Sequence, residues 1–271
     1  MKDMLKIGII GAGNMAEAIM KGLIQAGMAS PENIICSDLS EARRHYIQQN
    51  LGVTTTSVNK DVIIPSQIIF LAVKPNVVGK VLDENKDVFT SEKMIISIAA
   101  GITLDFIEKH LSGEIPVVRV MPNTPALVLE GASALAGGKY ATDKDLEVAL
   151  ELMGSTGKAI VLDEKLLDAV TGLSGSGPAY VLEFIDALAS GGVLKGLNKQ
   201  TALLLAAQTV LGTAKLYLET QEHPAVLRDR VTSPGGTTIA GLAALEAGGF
   251  RTSVIEAVSK ATDRSRELSG N

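Results

Sequence analysis

The chain has 271 residues, with 25 Lys+Arg against 30 Asp+Glu, a formal net charge of −5 and a pI near 5.3. Hydrophobic residues make up 46% and charged ones 20%, enough apolar material for one large or two ordinary domains and too much for a disordered chain. With no basic run, 3% aromatics and no Trp, the sequence lacks both the electrostatic footprint and the stacking platforms of a nucleic-acid binder, so no nucleic-acid partner is expected.

In chain order, Leu5–Ile10 is apolar and β-prone and leads directly into Gly11-Ala12-Gly13. A helical pattern then runs through Ala26, with Gly27 as its C-cap. Asn33–Ser37 reads as a strand, Glu41–Asn50 as a polar-faced helix, and Ile68–Val73, Met94–Ala99 and Ile115–Val120 as short, nearly all-apolar strands. Strands apolar on both faces that alternate with helices predict a parallel sheet covered on both sides. Near residue 162 the pattern changes. From Asp163 onward only helices are predicted: Gly177–Leu194, Asn198–Glu219, Pro234–Ala247 and Thr252–Leu268. Thr201–Ala214 is apolar nearly all round, and a helical domain of this size covers such a helix most readily with a second subunit. The expected organisation is a nucleotide-binding α/β domain over residues 1–162 and an all-α domain over 163–271 that dimerises.

Gly11-Ala12-Gly13-Asn14-Met15-Ala16 fits G-x-G-x-x-A between a strand and a helix. The first glycine permits the tight turn, the second lets backbone approach a pyrophosphate, and the helix start offers free N–H groups to the phosphates. Asp38 follows the second strand, near the usual position of an acceptor for the adenosine ribose 2′-hydroxyl, which favours NAD. Ser37, Arg43 and Arg44 would instead embrace a 2′-phosphate if Asp38 turned outward. Two further strand ends, Ala72-Val73-Lys74-Pro75 and Ile98-Ala99-Ala100-Gly101, should face the cofactor, their small residues leaving room for the nicotinamide ribose. In the helical half, Ser233-Pro234-Gly235-Gly236-Thr237-Thr238 reads as a helix start with Ser233 as N-cap and Pro234 as first helical residue, an anion pocket suited to a carboxylate.

Other chemistries find little support. The single cysteine, Cys36, reads as a buried small hydrophobe, and the three histidines lie far apart without metal-ligand or nucleophile-elbow spacing, so no metal is expected. The longest apolar stretch, fenced by Lys199 and Lys215, falls short of the ~20 residues of a membrane span, and Glu17 interrupts the apolar N-terminal region. A cytoplasmic protein with no membrane partner is expected.

These motifs together resemble the pyrroline-5-carboxylate reductase family over essentially the whole chain. The resemblance rests on Gly11–Met15, Ala72–Pro75, Arg119-Val120-Met121-Pro122-Asn123-Thr124-Pro125, Gly172–Tyr180 and Val231–Leu245. It implies an N-terminal Rossmann-type dinucleotide-binding domain with an all-α C-terminal dimerisation domain. The implied activity is reduction of the cyclic imine 1-pyrroline-5-carboxylate to L-proline, with NADPH as donor and NADH as the alternative. It also implies a homodimer and a ring of dimers such as a decamer. The family's substrate loop maps onto Ser233, Gly235, Gly236, Thr237 and Thr238, with Glu164 nearby, and its cofactor contacts onto Ala12, Asn14, Met15, Asn59, Val73, Lys74, Ala99 and Ala100. Thr238 is the candidate catalytic residue, as hydrogen-bond partner of the substrate nitrogen. Two rival readings are a β-hydroxyacid dehydrogenase and a non-catalytic NAD(P)-sensing dimer. The first places Val181 and Phe184 where its lysine and asparagine belong, and the second leaves the Ser233–Thr238 segment unexplained.

Overall fold

The computed structural model describes residues 5–269, so the expected domain limits at residues 1 and 271 lie outside the described residues. The chain forms two compact units, one running up to Gly175 and resuming from Ala261, the other comprising Ser176–Lys260.

The first unit is built on eight strands: β1 Ile7–Ile10, β2 Ile34–Ser37, β3 Thr54–Thr56, β4 Ile68–Leu71, β5 Met94–Ser97, β6 Val117–Met121, β7 Gly131–Gly137 and β8 Gly157–Val161. They form one sheet in the order β3-β2-β1-β4-β5-β6-β7-β8. All neighbours are parallel except β6 and β7, which pair antiparallel. The all-parallel sheet expected from sequence therefore acquires a reversed edge. The helices of this unit are α1 Asn14–Gln25, α2 Glu41–Leu51, α3 Asn59–Ile63, α4 Val78–Glu84, α5 Leu104–His110, α6 Asp143–Gly154 and α7 Leu167–Val170, followed by a π-turn over Thr171–Gly175.

Side-chain alternation along the central strands divides the core into two layers. Ile7, Ile9, Phe70 and Ile96 pack with Ala16, Ile19, Met20 and Leu23 of α1 and with Leu152 and Met153 of α6. Ile10, Ile69, Leu71 and Ile95 pack on the opposite face with Val62 and Ile63 of α3, Leu82 of α4 and Ile107 of α5. The α1 residues recur at i, i+3, i+4 and i+7, the spacing that gives a helix one apolar stripe. Burying each Ile, Leu or Phe fully contributes about 1.5–3 kcal/mol. Local signals set the boundaries: Ser40 and Thr103 cap α2 and α5, and Thr142 and Asp145 form a reciprocal capping box at α6.

The second unit contains α8 Gly177–Leu194, α9 Lys199–Thr220, α10 Pro224–Arg230, α11 Thr237–Ala247 and the first part of α12 Phe250–Ser269. Its own buried core is small, consisting of Ala189, Ala202 and Ala206 with Ile185 against them. Leu203, Leu204, Leu205 and Leu211 of α9 stay exposed, as do Leu182 and Leu188 of α8 and Ile255 of α12. So much aliphatic surface on helical faces marks an association surface rather than a finished core. Among the described residues α9 is the one helix long and apolar enough to cross a membrane by length and composition. The prediction from this surface concerns Leu204, which is 69% exposed. Leu204→Asp would place an unpaired charge in a covered interface, so the variant should sediment as a monomer where the wild type sediments as a dimer or larger. An unchanged sedimentation coefficient would place the association surface elsewhere.

Candidate active site: a dinucleotide cleft and a bare helix start

The ends of β1, β2, β4 and β5 lie at one edge of the sheet. Ile10 pairs with Ser37 on one side and with Leu71 on the other, and Leu71 pairs with Ser97. The chain order reverses at β1, which has β2 on one side and β4 on the other, so this edge carries the switch point where open α/β sheets bind ligands. Beyond it the backbone continues the ladder, with Gly11 N donating to Ser37 O (2.8 Å), Ala72 N to Ile10 O (2.9 Å) and Ile98 N to Leu71 O (3.1 Å).

Gly11 and Gly13 are glycines for different reasons. Gly11 has φ +98°, and a Cβ there would come within 2.6 Å of the Ala72 carbonyl oxygen, so the turn itself demands glycine. At Gly13 φ is −66° and a Cβ would meet no atom within 4 Å. The fold tolerates a side chain there; a pyrophosphate approaching the backbone does not. Gly13 is also the N-cap of α1 and makes no side-chain cap bond, which leaves the first-turn amides of Asn14 and Met15 available to an anion. The residues present therefore fit a dinucleotide.

On the adenosine side, the Asp38 carboxylate turns toward the glycine loop. Oδ2 accepts from Ala12 N (2.8 Å) and Oδ1 from Ser40 N (2.8 Å). Arg43 holds the same residue at its other end: its Nε donates to the Ala12 carbonyl, and its guanidinium pairs with Glu17 and lies 4.8 Å over the Tyr46 ring. Arg44 donates to the Asp38 and Leu39 carbonyls. Ser37 Oγ donates to Asn59 Oδ1 (2.7 Å), joining the end of β2 to the start of α3. Beneath them, burial, reinforced by the Asp38 carboxylate, pushes the Cys36 thiol up to about 12, so it remains a neutral packing group.

Gly11, Gly13, Ser37, Asp38, Asn59, Ala72, Val73 and Lys74 line one cleft of about 420 Å³. Ala12 is buried below it, Pro75 begins the 3-10 turn after Lys74, and Ala99 and Ala100 follow β5 at the same sheet edge. The structure thus gathers the expected cofactor residues into one region of the first unit.

Glu164 lies in that unit as well, in a 3-10 turn after β8. Its Oε1 accepts from Arg119 Nη1 and from Leu104 N, both at 2.8 Å. The Arg119 side chain is only 7% exposed, so this ion pair is close to buried on the cation's side. Two residues of the Arg119–Pro125 motif thereby gain roles that sequence reasoning left unassigned. Arg119 fixes Glu164, and Asn123 braces two segments, its Nδ2 donating to Ser174 O and its Oδ1 accepting from Ala132 N. A polar pair inside an otherwise apolar strand and turn was the available signal.

Ser233, Gly235, Gly236, Thr237 and Thr238 belong to the second unit, where the structure corrects the sequence reading. α11 begins at Thr237, not Pro234, and its N-cap is Gly236, not Ser233. Ser233-Pro234-Gly235-Gly236 forms a tight turn closed by Gly236 N to Ser233 O (3.1 Å). Proline second and glycine third, with Gly235 at φ +66°, is the type II signature, and it takes Pro234 out of the helix. A Cβ on Gly236 would force the Ser233 hydroxyl to rotate away, whereas the positive φ of Gly235 is what the turn itself requires. The consequence for chemistry survives the correction: α11 starts without a side-chain cap bond, with its first amides open and Thr238 in its first turn.

Comparison with known proteins agrees with both units. The pyrroline-5-carboxylate reductase dimerisation model matches residues 164–268, and a model described as NADP oxidoreductase, coenzyme F420-dependent, matches residues 6–101. The chain is 50% identical to a pyrroline-5-carboxylate reductase of Methanosarcina acetivorans over 97% of each chain. It is 46% identical to one of Arabidopsis thaliana, over 98% of this chain and 96% of the relative. Among solved structures, a pyrroline-5-carboxylate reductase of Coxiella burnetii superposes with a TM-score of 0.93 at 38% identity, covering 98% of this chain and 99% of that one. The Plasmodium falciparum pyrroline carboxylate reductase, solved with NADP bound, gives 0.86 at 32% identity over 98% of both. By full-length similarity and by the architecture of both its units, the chain belongs to the pyrroline-5-carboxylate reductase family.

Proposed function

We propose that the chain reduces the C=N bond of 1-pyrroline-5-carboxylate to give L-proline, the last step of proline biosynthesis, at the expense of NAD(P)H. The observation that carries this reading is the full-length similarity to reductases of that name in a chain whose glycine loop fits a dinucleotide. Gly13, Asn14 and Met15 would hold the pyrophosphate on the loop that Gly11 and Ala12 shape, Ser37 and Asn59 the adenosine ribose, and Ala72, Val73, Lys74, Pro75, Ala99 and Ala100 the nicotinamide half.

Bound NAD(P)H supplies the hydride. What remains for the protein is orientation and charge placement, because imine reduction needs neither a metal nor a covalent nucleophile. In the proposed division of labour, residues 1–162 carry the cofactor and 163–271 the substrate and the subunit interface. The open amides at the start of α11 would receive the substrate carboxylate, with Ser233, Gly235, Gly236 and Thr237 shaping the turn around it. Glu164, held by Arg119, would be a further substrate-binding residue. Thr238 would hydrogen-bond the ring nitrogen, where charge and protonation change as the hydride arrives.

The dimerisation match includes α9, which supports a second copy rather than lipid as the cover of its exposed leucines. We place the homodimer in a ring of dimers such as a decamer, following the family resemblance. The proposed compartment is the cytoplasm, in keeping with a lone buried cysteine that has no disulfide partner in its own chain.

Three measurements test this reading. NAD(P)H should be oxidised with 1-pyrroline-5-carboxylate and not formed with simple 3-hydroxy acids; the reverse pattern would favour the hydroxyacid dehydrogenase. Gly236→Ala must displace the Ser233 hydroxyl and should raise KM for the imine without changing cofactor affinity. Thr238→Ala should lower kcat about tenfold to a hundredfold, the scale of one hydrogen bond to a charged group at ~1.5–3 kcal/mol. Unchanged kcat and kcat/KM would remove Thr238 from the mechanism.

A further inference from the structure

Resting on that reading, we infer that the Asp38 carboxylate, pinned between the Ala12 and Ser40 amides at the carboxyl end of β2, makes this chain select NADH over NADPH. The residue after β2 stands where open α/β sheets meet the adenosine ribose, and Asp38 lines the same cleft as Gly11, Gly13 and Asn59. Its backbone is fixed too, Asp38 N donating to Thr56 O (3.2 Å). To swing outward the carboxylate would abandon two N–H bonds of 2.8 Å, one of them to the peptide that shapes the glycine loop. Hydrogen bonds from amides to a carboxylate are among the stronger ones, so the charge stays in place.

A 2′-hydroxyl is a neutral donor and suits a carboxylate; a 2′-phosphate is an anion and needs a cation. Neither arginine of α2 lines the cleft. Arg43 is taken up by the Ala12 carbonyl, Glu17 and the Tyr46 ring, and Arg44 by the Asp38 and Leu39 carbonyls. The lysines that line the cleft, Lys74 and Lys80, follow β4, and the sheet order puts β4 on the opposite side of β1 from β2. Lys80 is further paired with Glu84 at 3.7 Å. The ribose end of the cleft therefore presents a fixed negative charge, with Arg43 ion-paired to Glu17 and Arg44 tethered through Nη1 outside the cleft lining.

The test is calorimetric titration of the full chain with ADP-ribose and with 2′-phospho-ADP-ribose, which carry the discriminating group and no hydride. Wild type should bind ADP-ribose about tenfold or more tightly than its phosphorylated analogue, the order expected for a carboxylate opposed to a phosphate across a few ångströms of solvated protein. Asp38→Asn keeps an oxygen for Ala12 N and removes the charge. It should narrow that gap chiefly by strengthening the phosphorylated ligand. Equal or tighter binding of the phosphorylated ligand by wild type would overturn the inference, as would an Asp38→Asn variant that weakens both ligands equally. Binding of neither by a folded protein would overturn the dinucleotide assignment itself, and this inference with it.

Discussion

Two helix starts are capped by glycine, which offers no side chain to their first amides, and the arrangement of the chain's chemistry follows from that constraint. α1 begins after Gly13 and α11 after Gly236, each with an extended cap residue and no side-chain cap bond. The contrast lies within the same chain: Ser40, Thr103, Thr142 and Asn198 cap α2, α5, α6 and α9 with their own side chains. A capped helix satisfies some of its first donors internally. An uncapped one presents them, with the positive end of the helix dipole behind them, to whatever anion arrives. The proposed chemistry brings together two anionic molecules, a dinucleotide and an imino acid, and among the described residues each unit has one helix that starts on an extended glycine cap.

Most of the first unit serves to aim the α1 start. Ala12 is gripped at its N–H by Asp38 and at its carbonyl by Arg43, so the loop carrying Gly13 is held from the end of β2 and from α2 rather than by its own sequence. Gly11 allows that loop to pass close to Ala72, which sets the glycine loop and the β4 end side by side. In the second unit a tight Pro234-Gly235 turn delivers the chain into α11 with Gly236 bare. That unit has too few buried side chains to be finished alone, which ties its geometry to association with another copy.

Periodicity made much of the fold legible. Strands β1, β2, β4, β5 and β6 are short runs dominated by Ile, Val, Leu and Phe between helical patterns, and α8 matches its expected bounds to the residue. The missed strands carry weaker signals for identifiable reasons. β3 is Thr-Thr-Thr at the sheet edge, where one side is open, and β7, Gly-Ala-Ser-Ala-Leu-Ala-Gly, buries mostly small side chains whose sequence carries little hydrophobic contrast. Of the candidate site, the positions of the glycine loop and the strand ends were legible because a tight strand-to-helix turn and the ends of buried parallel strands each have a distinct residue pattern. α11 starts three residues beyond the expected Pro234 because Ser-Pro reads as a helix start while Pro-Gly also reads as a turn. The turn rule that puts proline second and a positive-φ glycine third would have separated them. The direction of the Asp38 side chain was not legible at all, since it depends on contacts with Ala12 and Ser40 that spacing does not encode.

The most direct measurement of the central claim follows backbone amide resonances while L-proline and ADP-ribose are titrated separately into the protein. The account predicts that L-proline, through its carboxylate, shifts the amides of Gly236, Thr237 and Thr238 and leaves Gly13, Asn14 and Met15 in place. ADP-ribose should do the reverse. Saturating L-proline that leaves Gly236–Thr238 unmoved, or ADP-ribose that leaves Gly13–Met15 unmoved, would contradict the assignment of these two bare helix starts as the anion sites.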